Sequence, residues 1–271
     1  MRDQAVETDV VVVGYGSAGA TAAITAHDNG ARVIILEKMS AGGGNRCLSA
    51  AMLIGATGPG AIQHVDALCF GKTSREVIEA YVDGCMKIKD WIKELGGETV
   101  IYQNPVVTYL ASGFPCWPNV PGWEHTELLR VAGGTADELP AMPLWRLLTQ
   151  NVERRGIKVM TNTPAKELMR NQKGEVTGVV AEREGQEISI QAKKAVILTC
   201  GSFEYDEAMK DTFLPLTPID AIGNPGNTGD GIVMAQKAGA ALWWPLIVPL
   251  RSGRVWERLQ GVPDGIERQG S

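Results

Sequence analysis

The residues of this sequence best suited to holding a charged ligand lie close to its start. Val10 to Ala20 reads VVVVGYGSAGA, which sets Gly14, Gly16 and Gly19 in a G-x-G-x-x-G spacing. That spacing can hold a pyrophosphate. The first glycine turns the chain tightly, the second lets backbone approach the phosphates, and the third lets a helix pack close to the preceding strand. The start of that helix adds unpaired N–H groups and the positive end of its dipole. Glu37 follows roughly 20 positions later, where a carboxylate can accept both hydroxyls of a ribose and would repel a 2′-phosphate. The glycines alone would equally suit a plain turn between strand and helix.

The flanking elements decide between these readings. Val10 to Val13 is a continuous β-branched run, the pattern of a strand buried on both faces of a parallel sheet. SAGATAAITAHDNG reads as an alanine-rich helix closed by Gly30, and ARVIILEK as a second buried strand ending in Glu37. Strand, glycine turn, helix and strand make a βαβ unit with a right-handed crossover, so the pattern points to an adenine dinucleotide. After Glu37 comes KMSAGGGNRCLSAAM, where Gly42, Gly43 and Gly44 offer a second backbone cradle and Asn45 a side-chain donor for a longer cofactor. Three successive glycines would also suit a surface loop.

Two later stretches, KKAVILTCGSFEYDEAM and GNTGDGIVMAQKAGA, complete a pattern begun by DVVVVGYGSAGA and ILEKMSAGGGN. Together they resemble the fumarate reductase and 3-ketosteroid dehydrogenase superfamily of FAD-dependent oxidoreductases. The first is similar to the family's A-T-G-G-F segment, with Cys200 and Ser202 where threonine or glycine often stand. The second is similar to its T-G-D-G-x-x-M-A motif. The resemblance implies FAD as cofactor and, residue by residue, a set of contacts. Gly14, Gly16, Ala18 and Gly19 surround the pyrophosphate, Glu37 holds the ribose, and Asn45 and Arg46 continue the phosphate side. Ala50 and Ala51 run beside the isoalloxazine, where the family usually carries glycine at one or both. Ala165 contacts the adenine through its backbone, and Asp230 completes the set.

The fold expected is α/β: a Rossmann-like FAD-binding domain over residues 1–242, with a parallel sheet and a small antiparallel β-meander. A loop-rich insertion is expected at 100–143, and residues 243–271 form a tail unlike the family. The resemblance implies an oxidoreductase that reduces or forms a C=C bond beside a carbonyl, acting on a small enoate or 3-ketosteroid-like substrate. The family's capping domain and its C-terminal G-x-x-A-A-G-E segment find no match. The chain is therefore read as the FAD-binding half of such an enzyme, either a fragment of it or one subunit whose capping and C-terminal segments a possible second chain would supply. The alternative is a non-catalytic FAD-binding subunit or an inactive truncated product. No residue is assigned as catalytic acid or base.

The remaining features are mostly structural. SREVIEAYVDGCMKIKDWIKELGG places Val77, Ile78, Tyr81, Val82, Cys85, Ile88, Trp91, Ile92 and Leu95 at helical spacing, as a core-packing stripe. NQKGEVTGVVAEREGQEISIQAKK alternates and turns at Lys173-Gly174 and Glu184-Gly185, as a meander ahead of the strand AVILT. His125 and Tyr109 could touch a substrate but carry no assigned role. A net charge of −5 argues against a nucleic-acid partner. Cys47, Cys69, Cys85, Cys116 and Cys200 are scattered without a C-x-x-C pair, which disfavours a metal site and suits buried thiols in a reducing compartment. The polar start MRDQAVETD is unlike a signal peptide, and AGAALWWPLIVPL is too short to span a bilayer. A cytoplasmic protein with no membrane partner is expected.

Overall fold

The computed structural model describes residues 6–45, 51–102, 120–135, 137–214, 220 and 223–242. Its first strand, β1 (Val6–Val13), leads through a tight turn into helix α1 (Ser17–Asp28) and then strand β2 (Val33–Leu36), which lies parallel to β1. The valine run serves two cores at once. Val10, Val12, Val33 and Ile35 face one hydrophobic cluster, while Val11, Val13, Ile34 and Leu36 face another. Alternation across a pleated strand requires that division, so both faces of this strand pair must be covered.

The first cluster is covered by α1, by α3 (Arg75–Glu94) and by α4 (Met142–Arg154), through Ala23, Ile24, Ile92, Leu144 and Leu148 among others. On the second lie residues of β8 (Val176–Arg183), β9 (Gln186–Leu198) and Met234 of helix α6 (Asp230–Lys237), which follows the short helix α5 (Glu207–Phe213). The main sheet has six strands in the order β6-β2-β1-β9-β8-β7, where β6 is Lys158–Met160 and β7 Ala165–Arg170. Its β6-β2-β1-β9 half is parallel and its β9-β8-β7 half antiparallel.

The meander and the strand AVILT are therefore one structure. β9 runs unbroken from Gln186 to Leu198, pairing with β8 on one side and with β1 on the other. Nothing in QAKKAV forbids extension. The register against β1 slips between Thr8 and Val10, and Lys193 and Lys194 fall in that irregularity.

A second, three-stranded antiparallel sheet has the order β3-β5-β4: β3 (Leu53–Ala56), β5 (Thr126–Val131) and β4 (Thr99–Ile101). Helices α2 (Ala61–Leu68) and α3 share a small core with it around Ala56, Ala61, Ile78 and Val82. Part of the 100–143 segment is thus ordered β-structure, since β5 is the centre of this sheet. A 3₁₀ turn, Trp123–His125, immediately precedes β5. Short strands between prolines and glycines leave little periodicity, which is why β3 and β5 were not anticipated. The α3 stripe also divides. Ile78, Val82, Ile92 and Leu95 are buried, but Val77 and Tyr81 are 58% and 46% exposed. Nine apolar positions exceed what one buried face of a helix can hold.

Candidate functional site

The carboxyl ends of β1, β2 and β9 converge on a cleft of about 440 Å³. From β1 the chain crosses through α1 to β2 on one side, while β9 flanks β1 on the other. Clefts at such a switch point are where open α/β sheets bind ligands. Two of the three glycines there are required by the protein's own packing. Gly14 adopts φ +106°, and a Cβ on it would collide with the carbonyl of Thr199. A Cβ on Gly19 would collide with the Gly14 carbonyl. The Thr199 hydroxyl braces the same turn, 2.9 Å from the carbonyl oxygen of Val13 and 3.0 Å from that of Gly14.

Gly16 is different. A Cβ placed on it would meet only the carbonyl oxygen of Gly43, at 3.7 Å. Across the gap, an added Cβ on Gly44 would come no nearer than 3.9 Å to the Gly16 Cα. The chain leaves this gap unfilled. Gly16 also caps α1 without a side-chain hydrogen bond, and the Ser17 hydroxyl, at the first position of the helix, is buried with no partner. Unpaired donors at a helix N-terminus facing an open, glycine-walled gap fit a pyrophosphate.

Glu37 is buried, at 8% exposure, just beyond β2. Its Oε2 accepts a hydrogen bond from the Tyr15 amide and its Oε1 one from the Met39 amide, each at 2.8 Å. The acid expected to hold a ribose therefore also pins the phosphate loop to the strand end. The second glycine loop rests on the first: the Gly43 amide donates to the Tyr15 carbonyl at 2.7 Å, and Gly42 lies against the Tyr15 ring. That ring packs on Trp145 with centroids 5.0 Å apart, and burial pushes its hydroxyl pKa up to about 12.

Asn45 lines the cleft but spends its amide elsewhere. Its Nδ2 donates to Glu204 and its Oδ1 accepts from the Asn224 amide, both at 2.6 Å. Asn227 donates to the same Glu204 oxygen at 2.7 Å. Burial works to raise the Glu204 pKa. Hydrogen bonds from Asn45, its own backbone, Asn227 and Ser202 outweigh that and leave it below its ordinary value. Asp230 opens α6, its carboxylate accepting from Lys38 at 2.7 Å and from Thr228 at 2.9 Å.

Of the residues named from sequence, Gly14, Gly16, Ala18, Glu37, Asn45, Ala51, Ala165 and Asp230 line the cleft. Gly19 stands behind it as packing, and Arg46 and Ala50 lie outside the described residues. Ala51 takes φ +48°, so an alanine holds the left-handed backbone that a glycine would adopt more easily, at a cost of about 1–2 kcal/mol. Lys38, Thr163, Thr199, Asn224 and Asn227 also line the cleft and were not anticipated. Lys38 and the GNPGNTGD stretch carried a signal, as polar residues adjoining recognised motifs. Leu144, reaching in from α4, carried none. His125 lies against Gly60 beside α2 and is not among the cleft residues, while Tyr109 is outside the described residues.

Cys200 faces the cleft with its Sγ 3.4 Å from the Val13 carbonyl. Burial first, and then the Asp230 charge, raise its pKa to about 11 from an ordinary 9.0. Since the native state favours the neutral thiol, this contribution to stability is complete below pH 9 and is lost as pH rises towards 11. Alkylation by iodoacetamide, mapped by mass spectrometry, should leave Cys200 almost unmodified at pH 8 in the native protein and label it readily once unfolded. Equal native and unfolded rates would contradict this placement.

Among the described residues, no helix is long and apolar enough to cross a membrane, and no group of three or more His, Cys, Asp or Glu could hold a metal ion. A family model described as FAD binding domain matches residues 9–245. The NADH:fumarate oxidoreductase of Klebsiella pneumoniae is 28% identical over 245 residues, covering 86% of this chain and 24% of that protein. The 3-oxosteroid 1-dehydrogenase of Mycobacterium tuberculosis is 39% identical over 118 residues, 39% of this chain and 21% of that one. The fold is shared with the 3-ketosteroid-Δ4-(5α)-dehydrogenase of Rhodococcus jostii RHA1, at TM-score 0.75 and 24% identity over 87% of this chain and 55% of that structure. It is shared also with a flavocytochrome c3 fumarate reductase, at TM-score 0.72 and 23% identity over 87% of this chain and 41% of that structure. The chain thus spans about a quarter of these two curated relatives and about half of these two structures. With two glycine loops facing each other over an unfilled gap, and the family model matched along most of its length, the chain belongs to the FAD binding domain family and has FAD as its cofactor.

Proposed function

We propose that this chain is the flavin-holding part of an oxidoreductase that forms or reduces a C=C bond beside a carbonyl, on an enoate or 3-ketosteroid-like substrate. The observation that carries the reading is the Gly16–Gly43–Gly44 gap above the α1 N-terminus, which the protein's own packing does not fill. The relatives support the reaction class. When bound, the flavin supplies a two-electron carrier able to exchange a hydride with a carbon next to a carbonyl.

The chain's residues hold and orient. The first glycine loop and the Ser17 hydroxyl receive the pyrophosphate. Glu37 fixes that loop and keeps lone pairs for the ribose hydroxyls, and Ala165 presents backbone to the adenine. Ala51 and the second glycine loop run alongside the far end of the cofactor. Proton transfer is assigned elsewhere. Among the described residues, the titratable side chains lining the cleft are Tyr15, Glu37, Lys38, Cys200 and Asp230. Glu37 is engaged by backbone amides, Lys38 and Asp230 pair with each other, and burial holds Cys200 and Tyr15 neutral. On this reading the substrate polariser and the acid or base lie outside the described cleft residues, on a further segment or a second chain. The free thiols of Cys69, Cys85 and Cys200 support a reducing, cytoplasmic setting.

Purified protein, offered FAD during refolding where needed, should show the two-band flavin absorbance at about one equivalent. Alone it should show little or no turnover of fumarate or a 3-ketosteroid with an artificial electron carrier. Tight binding of NAD with no flavin uptake would refute the cofactor assignment, and robust turnover by this chain alone would refute the division of labour.

A further inference from the structure

The cleft that must accept the doubly negative pyrophosphate is lined by two carboxylates, Glu37 and Asp230. Glu37 is directed onto the amides of Tyr15 and Met39. Asp230 stands at the first position of α6, and its side chain is 40% exposed. An anion so placed opposes the ligand unless a cation answers it. The cation is Lys38. Its Nζ lies 2.7 Å from Asp230 Oδ2 and 2.7 Å from the Thr228 hydroxyl, which in turn donates to Asp230 Oδ1 at 2.9 Å. The lysine stem passes under Gly226, where an added Cβ would come within 3.2 Å of its Cε. This packing holds the ammonium group in place, with the Lys38 side chain only 25% exposed.

We propose that Lys38 is a positioning residue for FAD. It neutralises Asp230 and, through Thr228, orients that carboxylate, so that an acidic residue can form part of an anion-binding wall. It also ties the end of β2 to the start of α6, segments some 190 residues apart in sequence that both line the cleft. The proposal rests on the FAD reading of the cleft.

The test is a charge-rescue series read by equilibrium FAD binding, from quenching of flavin fluorescence, with the fold of each apo variant checked by circular dichroism. Lys38→Met should weaken FAD at least about tenfold, the scale of one uncompensated charge several ångströms away. Added salt should recover part of that loss by screening the exposed Asp230. Lys38→Arg should bind within about threefold of the parent, and the double variant Lys38→Met/Asp230→Asn should bind more tightly than Lys38→Met and about as well as Asp230→Asn alone, since a neutral partner no longer needs the cation. A lysine that merely stabilised the fold would not be rescued by removing its partner's charge. Unchanged affinity in Lys38→Met, or loss in the double variant as deep as in the single one, would overturn the role of Lys38 while parent binding left the site reading standing. A parent protein that takes up no FAD would overturn both.

Discussion

Gly16→Ala should leave the apo protein folded and abolish tight FAD binding, whereas Gly19→Ala should destabilise the fold itself. The difference lies in what each added methyl would meet. At Gly19 it would overlap the Gly14 carbonyl and approach the Thr199 hydroxyl at 2.8 Å, inside the closest packing of α1 on β1. Overpacking of this kind costs about 1–3 kcal/mol where neighbours can yield. Here the nearest neighbour is backbone in a turn already at φ +106°, so relief must come from moving α1 as a body. Against a total stability of about 5–15 kcal/mol, that loss is severe. At Gly16 the φ is −99°, ordinary for alanine, and the nearest atom would be 3.7 Å away. The methyl would instead occupy the gap proposed to take the phosphates. Urea unfolding of the apo variants, alongside FAD titration, separates the two effects. Equal destabilisation by both substitutions, or normal FAD affinity in Gly16→Ala, would contradict the assignment of the gap.

Glu37→Gln should reduce both FAD affinity and apo stability, and the second loss is the larger surprise for a residue first read as a ribose ligand. Each carboxylate oxygen receives one backbone amide, from Tyr15 and from Met39. Glutamine can accept with one oxygen only, so its amide group must face one N–H donor with another. A buried hydrogen bond to a charged group contributes about 1.5–3 kcal/mol, and a donor left unsatisfied costs about 1–3 kcal/mol. We expect apo destabilisation of about 2–3 kcal/mol on that basis, with FAD affinity reduced by a further amount of similar size. Glu37→Arg should be worse on both counts, because a long cation cannot be accommodated at 8% exposure without opening the loop. Denaturant midpoints and FAD titration report the two losses separately. Loss of FAD affinity with unchanged apo stability would mean that Glu37 faces the ribose alone and does not hold the loop.

How much of this was legible beforehand depended on the range of the interactions involved. Val10 to Val13, the three glycines and Glu37 could be read together because a βαβ unit is built from near neighbours in sequence. A β-branched run, an obligatory turn and a helix start each leave a local mark. The same holds for Asp230, which opens a helix beside a recognisable glycine motif. The division of labour among the glycines was not legible. Gly14, Gly16 and Gly19 are chemically identical letters, and only the positions of Thr199 and Gly43, distant in sequence, show which serve packing and which serve a ligand.

Residue types and spacing alone thus determined the sheet's parallel half, the end of it that carries the cleft and an adenine dinucleotide as ligand, because local backbone preferences and motif geometry suffice for those. Tertiary structure alone decided that Glu37 clasps a loop, that the Asn45 side chain joins Glu204 and Asn224, and that Lys38 answers Asp230. It also made a continuous 13-residue β9 out of what reads as a meander followed by a strand, and placed β5 at the centre of a second sheet. The physical reason is common to all of these. A polar side chain will satisfy itself with whatever donor or acceptor the fold brings within about 3 Å, and a strand takes whatever edge is offered. Both choices are made between segments far apart in the chain, where sequence periodicity carries no signal.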